Sequence, residues 1–163
     1  MPEVVEKDSI ISREASQAVE SVIIAGCALA IIAALVLGVG LASHMVIRHI
    51  VQTLPLWFAV VLGLRRSRTA GWLSLPSFIF WLALMTMIWL YLLGMPSLVS
   101  GHFSPIEIAM TLVVGAASLT GIVAFIRLKS LRSLPAMFGI FVLFTFAQLL
   151  CFRLSLLPAV AHR

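Results

Sequence analysis

The sequence predicts an all-α, polytopic integral membrane protein with five transmembrane helices. Of its residues, 62% are hydrophobic and only 10% are charged, and the mean hydropathy is +1.16. A soluble domain is about half apolar and a quarter charged. Apolar runs long enough to cross the hydrocarbon layer, about 20 residues, recur along the chain. We therefore expect one transmembrane domain, residues 21–153, between a polar tail (residues 1–20) and a short C-terminal tail (residues 154–163).

The charged residues are unevenly distributed. Five of the six acidic residues lie in the first twenty positions, and only Glu107 follows them, against nine Lys and Arg. These bases cluster at the ends of apolar runs, which indicates contact with lipid headgroups rather than nucleic-acid binding. The N-terminal tail is net acidic, and the apolar run after it exceeds the roughly 7–15 residues of a signal-peptide core. We therefore expect an uncleaved tail.

The first predicted span, residues 21–43, has small residues at every fourth position. In a membrane helix such spacing lets another helix backbone approach closely. This face is either a dedicated oligomerisation surface or an ordinary packing surface against the protein's own helices. Its members are Gly26, Ala30, Ala34, Gly38 and Ala42.

The second predicted span, residues 46–64, is the least regular. It carries Arg48 and His49 near one end, where long polar side chains can reach the interface, and Pro55 within it. Proline is tolerated in membrane helices when neighbouring groups satisfy the freed carbonyl. The alternative is an interfacial or re-entrant helix, which would leave four spans.

The remaining predicted spans are residues 72–95, 105–126 and 134–152. Trp72, Trp89 and Tyr91 mark the ends of the third span, as in an aromatic belt. The fourth span has a strong start signal, because Ser104, Pro105 and Glu107 are arranged as an N-cap, a first-turn proline and the acid of a capping box.

The basic clusters predict the orientation. Six Lys and Arg fall in the loops 65–71 and 127–133, which share a side if the spans alternate in direction. By the positive-inside rule that side is cytoplasmic. With the second segment spanning, the N-terminus is also cytoplasmic and the C-terminus lies outside.

This topology brings polar residues from two separate segments to the outer boundary, with Gln148 as a further candidate nearby. We consider four roles for them: a structural ion pair of Glu107 with Arg48 or His49, a relay for a proton or polar solute, haem ligation by two histidines, and binding of a lipid headgroup or another anion. Ionisable groups in membrane segments are functional candidates by default. The cluster comprises His44, Arg48, His49, Gln52, His102 and Glu107.

The sequence contains no motif for hydrolysis, nucleotide binding or a metal site. Cys27 and Cys151 both lie in apolar runs without a CxxC partner, so a disulfide or zinc framework is not expected. We expect no cofactor, with haem kept open as above, and no nucleic-acid partner. The predicted function is that of a non-enzymatic accessory or structural subunit, packing in the lipid bilayer against itself or another membrane protein. The alternatives are a small transporter or channel and, third, a haem-binding or redox subunit.

Overall fold

The architecture is a bundle of long helices. A computed structural model describes residues 2–95, 102–128 and 133–161, and the side chains of residues 14–95, 102–128 and 133–160. No strand occurs in these ranges. The helices are α1 (Pro2–Ala33), which continues directly into a π-helical segment (Ala34–Gly40), α2 (Val46–Leu64), α3 (Thr69–Leu92), α4 (Pro105–Arg127), α5 (Leu134–Ser155) and the short α6 (Pro158–Ala161).

Five of these helices are long and apolar enough to cross a membrane. They are Glu14–Gly40 and the whole of α2, α3, α4 and α5. The predicted all-α, five-helix membrane fold is therefore confirmed, and the protein is a multi-pass membrane protein. Successive spans alternate in direction, so residues 41–45, the start of α4 and the end of α5 share one membrane boundary, which we name the far boundary. The near boundary holds the ends of α2 and α4.

The tightest helix contact joins α1 to α2. A Cβ atom placed on Gly63 would lie 2.6 Å from the main-chain oxygen of Ser21 and 2.8 Å from the Cβ of Ala25. Only glycine at this position allows the two backbones to lie so close, as small residues do in membrane helix pairs generally.

Helix α1 enters the bundle earlier than the sequence predicts. Gln17 and Glu20, assigned above to the polar tail, are buried. The Gln17 amide donates to the main-chain oxygen of Arg127 over 3.2 Å, and the Glu20 carboxylate lies 4.0 Å from the Arg127 guanidinium. The end of the polar segment is thus helical and fastens α1 to the end of α4 at the near boundary.

Helix α5 lies on the outside of the bundle. It packs against α2 and α3, and no Cα atom of α5 lies within 8 Å of one in α1 or α4 across the described helices. Its inward edge carries Met137, Gln148 and Ser155, the buried residues of this helix. Its outward surface is mostly apolar and includes the exposed Phe138, Leu143 and Phe146.

Three helix ends share one geometry. The residues just beyond the first, second and third spans, His44, Arg66 and Gly94, have positive φ angles of 56°, 55° and 76°. In each case the following residue donates its N–H to a carbonyl five positions back, over 2.9 Å. This is the left-handed C-terminal motif that glycine usually supplies. It places His44 in a turn rather than on a helix.

Candidate functional site

The main cavity of the described structure lies between α2 and α4. No Cα atom of one of these two helices lies within 8 Å of a Cα atom of the other. The space between them, about 540 Å³, is bounded by the π-helical segment, α3 and the end of α5. Its walls are formed by Leu35, Val39, Ser43, Met45, Arg48, His49, Gln52, Trp81, Leu84, Met85, Ile88, Phe103, Glu107, Met110, Thr111, Val114 and Phe152.

The polar residues of the cavity lie toward the far boundary. Arg48 and His49 are in the first turn of α2, and Gln52 lies one turn deeper. Glu107 is in the first turn of α4, opposite them. Trp81, near the middle of α3, lines the deep part. With a rise of about 1.5 Å per residue, the cavity reaches about 16 Å from the end of α3, or half of the hydrocarbon layer.

Glu107 is held by the start of its own helix. Its carboxylate accepts a hydrogen bond from the Ser104 N–H over 2.7 Å, and the Ser104 hydroxyl accepts from the Glu107 N–H over 3.3 Å. This is the predicted capping box, with the predicted proline in the first turn. The carboxylate also lies at the N-terminal end of the α4 dipole, which carries a partial positive charge.

Arg48 has little to compensate its charge within the protein. Among the described side chains, no carboxylate lies within 4.0 Å of Arg48. The ion pair found among the described residues joins Glu20 and Arg127 instead. One Arg48 Nη donates to the Met45 sulfur over 3.5 Å, a weak acceptor. The Arg48 Nε is buried and has no hydrogen-bond partner among the described residues. The expected pair of Glu107 with Arg48 or His49 is therefore not formed in this structure.

Two other buried nitrogen atoms belong to side chains that line the cavity. They are His49 Nδ1 and Trp81 Nε1, and within the described residues neither has a hydrogen-bond partner. Buried polar groups are normally hydrogen-bonded, so each such atom requires an explanation. Together with the Arg48 Nε, three buried nitrogen atoms without a hydrogen-bond partner among the described residues belong to side chains that line this cavity.

Behind Gln52 lies a buried hydrogen-bond network that joins three helices. The Gln52 amide donates to the Ser155 hydroxyl over 2.9 Å, which ties α2 to α5. The Gln148 amide donates to the main-chain oxygen of Gln52 over 3.2 Å and accepts from the Ser77 hydroxyl over 2.7 Å. Pro55 removes the N–H that would bond to the carbonyl of residue 51, and the Gln148 amide binds the neighbouring carbonyl, that of Gln52, in the same turn of α2.

A second polar contact fixes the opposite wall. The Trp89 indole donates to the Thr111 hydroxyl over 3.0 Å, which joins α3 to α4. The Thr111 hydroxyl in turn donates to the Ile108 carbonyl over 2.7 Å. This contact sets the rotation of α4 and so directs Met110 and Val114 to the cavity.

The structure brings together four of the six predicted cluster residues. Arg48, His49, Gln52 and Glu107 all line the cavity, whereas His44 and His102 are exposed and do not line it. Because one histidine of the three lines the cavity, the arrangement does not offer two imidazoles to a haem there. Over the described residues, no group of three or more His, Cys, Asp and Glu side chains could hold a metal ion.

The predicted small-residue face is not buried as one surface within this chain. A Cβ on Gly26 would meet no atom within 4 Å, and Ala42 is exposed. Ala34 is buried, and a Cβ on Gly38 would lie 2.5 Å from the Met110 side chain. Ala30 is half-buried. The π-helical segment adds residues to the turn, so the four-residue repeat drifts around the helix.

Sequence reasoning missed several residues that shape the site. Ser77 and Ser155 complete the hydrogen-bond network, and Thr111 and Met110 line the cavity. Serine and threonine are frequent in membrane helices, where they bond their own backbone, so composition alone does not distinguish these positions. Gln52 and Gln148 are the members of the network with a sequence signal, because each is an amide in a mostly apolar predicted span.

The fold and the site define a five-helix membrane protein with a cavity between two of its spans. No family model, no curated protein and no solved structure matches the chain.

Proposed function

We propose that this protein is a non-enzymatic multi-pass membrane protein that binds a small amphipathic molecule in the cavity between α2 and α4. The observation that supports this most is the cavity itself: about 540 Å³, with polar groups at the far boundary and apolar walls beneath them. Ligand sites in proteins commonly measure about 300–1,000 Å³ and combine apolar walls with a few polar groups. Amphipathic molecules in a bilayer have the same arrangement, with a polar end at the boundary and an apolar part beneath it.

The polar groups of the cavity favour binding over chemistry. The Ser43 hydroxyl donates to the main-chain oxygen of Val39 over 2.8 Å, and the Thr111 hydroxyl donates to that of Ile108. The Glu107 carboxylate caps α4. These hydroxyl and carboxylate groups have structural roles, which argues against their acting as a nucleophile or a general base.

A transmembrane pathway, the alternative reading of the cluster, has less support. Gln52, Gln148 and Ser77 bond to one another behind the cavity, and Trp81, Phe78 and Leu56 are buried beside them. A relay would have to cross this packed layer to reach the near boundary. The cavity therefore resembles a one-sided binding site.

The role of an accessory subunit remains the second candidate, and one observation favours it. In the most apolar 18-residue window of α5, only 11% of the residues are buried. The corresponding windows of the first span (Glu14–Gly40) and of α3 are each 44% buried. Its outward face carries the exposed Phe138 and Phe146. A second copy of this chain or another membrane protein could cover that face. Cross-linking through Phe146→Cys, with Leu119→Cys on α4 as the control, would detect a second copy.

The orientation proposed from the basic loops places the far boundary outside the cytoplasm. Arg65, Arg66 and Arg68 follow α2 at the near boundary, and Arg127 ends α4 there. The N-terminus would then be cytoplasmic and the cavity would open outward. Labelling of single cysteines at residues 2 and 163 should react from opposite sides of the membrane; reaction from one side would contradict it.

Quenching of tryptophan fluorescence by bromine-labelled amphiphiles tests the binding proposal. Three probes with the same eleven-carbon chain are 11-bromoundecanoate, 11-bromoundecanol and 11-bromoundecyl-trimethylammonium. Because Trp81 lines the cavity, at least one probe should quench it saturably in detergent-solubilised protein. The Trp81→Phe variant should lose this saturable component and keep the background from lipid-facing Trp57.

A pair of neighbouring valines provides the matched control. Val114 lines the cavity, whereas Val113 is 42% exposed on the outer side of the same helix. Val114→Phe should fill part of the cavity and abolish saturable quenching, and Val113→Phe should leave it intact. Absence of saturable quenching by all three probes, or equal behaviour of the two variants, would refute the proposal.

A further inference from the structure

The chemical character of the cavity's polar end restricts what can bind there. Its unsatisfied groups include the Arg48 Nε, which is a donor, and the His49 Nδ1, which can donate in one tautomer. A ligand that supplies oxygen acceptors would complement these groups.

The charge balance points in the same direction. A guanidinium cannot lose its proton in a protein, so Arg48 brings a permanent positive charge to the edge of the bilayer. Glu107 lines the same cavity, but its carboxylate accepts from the Ser104 N–H and sits at the helix start. An uncompensated charge in a membrane segment is costly and is normally paired. The pair of Arg48 is missing from the described residues.

We infer that the occupant is a single-chain amphiphile with an anionic oxyacid headgroup, a carboxylate or a phosphate, that pairs with Arg48. This inference rests on the proposed function and specifies its ligand class. The planar guanidinium presents two parallel N–H groups that match the two oxygens of such a headgroup. The headgroup lies between the first turns of α2 and α4, and the chain extends toward Trp81.

The apolar walls fit one alkyl chain. Leu84, Met85 and Ile88 of α3 and Met110 and Val114 of α4 line the apolar part of the cavity. Two of these are methionines, whose flexible side chains adapt to an irregular apolar ligand. Cavities of this size hold one drug-sized molecule, which a single chain with a small headgroup matches better than a two-chain lipid does.

The three bromine-labelled probes separate this inference from the proposed function. With wild-type protein, the carboxylate should bind about tenfold to a hundredfold more tightly than the alcohol, and the trimethylammonium compound should bind no better than the alcohol. 11-Bromoundecyl phosphate serves as a fourth probe; the tighter of the two anions identifies the headgroup. Saturable quenching with equal affinity for the carboxylate, the alcohol and the cation would overturn the headgroup assignment while leaving the binding proposal intact.

Replacement of the arginine gives the matching test on the protein. Arg48→Gln should reduce the affinity for the carboxylate to that for the alcohol and should leave the affinity for the alcohol unchanged. Arg153→Gln is the control, because Arg153 is exposed at the same boundary and does not line the cavity. An equal loss in both variants would indicate only general attraction to a basic surface and would overturn the assignment. The probe series on wild-type protein keeps the inference testable if Arg48→Gln does not fold.

Discussion

The buried amide of Gln148 offers a direct test of how α5 is held in the bundle. Gln148 is 1% exposed, and it bonds to α2 and α3 at once through Gln52 and Ser77. The substitution Gln148→Met keeps the length of the side chain and removes both hydrogen bonds. It should therefore weaken the attachment of α5 without creating a large void.

The expected magnitude follows from the two lost bonds. Interhelical hydrogen bonds in a membrane protein average about 0.6 kcal/mol, with a maximum near 1.7 kcal/mol. Loss of two should therefore lower the free energy of unfolding by about 1–3 kcal/mol. The Ser77 hydroxyl can partly recover by bonding its own helix backbone, which favours the lower part of this range.

Reversible unfolding in mixed micelles with increasing sodium dodecyl sulfate, followed by circular dichroism, gives the required free energies. Leu149→Met is the control, because Leu149 is the next residue and is exposed. It should change stability by less than about 0.5 kcal/mol. A double-mutant cycle with Ser77→Ala should give a coupling energy of about 0.6 kcal/mol. If Gln148→Met unfolds like wild type and the coupling is zero, the network does not hold α5.

Three further substitutions test individual features by the same unfolding assay. Gly63→Ala should destabilise the protein by about 1–3 kcal/mol, because the new Cβ would meet the Ser21 backbone. The control Gly26→Ala should be neutral or stabilising, because its Cβ would meet no atom. Equal effects of the two variants would contradict the assigned α1–α2 contact. Thr111→Val should lower the free energy of unfolding by about 0.6 kcal/mol through loss of the Trp89 bond, and unchanged or increased stability would exclude that bond. His44→Gly should stabilise by about 1 kcal/mol by relieving a left-handed backbone, and destabilisation would indicate a role for the imidazole.

The spans were predictable because the bilayer imposes a simple length and composition rule. Each predicted apolar run corresponds to a helix that could cross the membrane, including residues 46–64 with Pro55 inside. The start of α4 was equally predictable, because Ser104 and Glu107 form a capping box that depends only on residues close in sequence. A local motif of this kind can be predicted without knowledge of the tertiary structure.

The positions of the polar residues were only partly predictable. The four-residue spacing of His44, Arg48 and Gln52 predicts one row on a helix, but α2 begins at Val46 and His44 lies in a left-handed turn. Sequence alone gives no signal for that turn, because glycine is its usual residue. Similarly, the small-residue repeat assumed a regular α-helix, and the π-helical segment Ala34–Gly40 breaks the repeat.

The cavity could not be derived from the sequence. Alternating topology correctly brings Arg48 and Glu107 to the same boundary, but it does not fix the lateral distance between α2 and α4. That distance depends on packing elsewhere, including the close contact at Gly63 and the bond between Trp89 and Thr111. The sequence therefore predicted a direct polar contact where the structure has a cavity.

Accessibility of a cysteine in the cavity wall tests the central claim most directly. In a background with Cys27→Ala and Cys151→Ala, Met110→Cys would line the cavity, and Leu112→Cys, at similar depth, would lie on the outer surface, where Leu112 is 58% exposed. We predict that a membrane-impermeant methanethiosulfonate reagent, added at the far boundary, modifies Met110→Cys and leaves Leu112→Cys unmodified in the bilayer. Equal reaction of the two cysteines, or protection of Met110→Cys, would contradict a cavity open to that boundary.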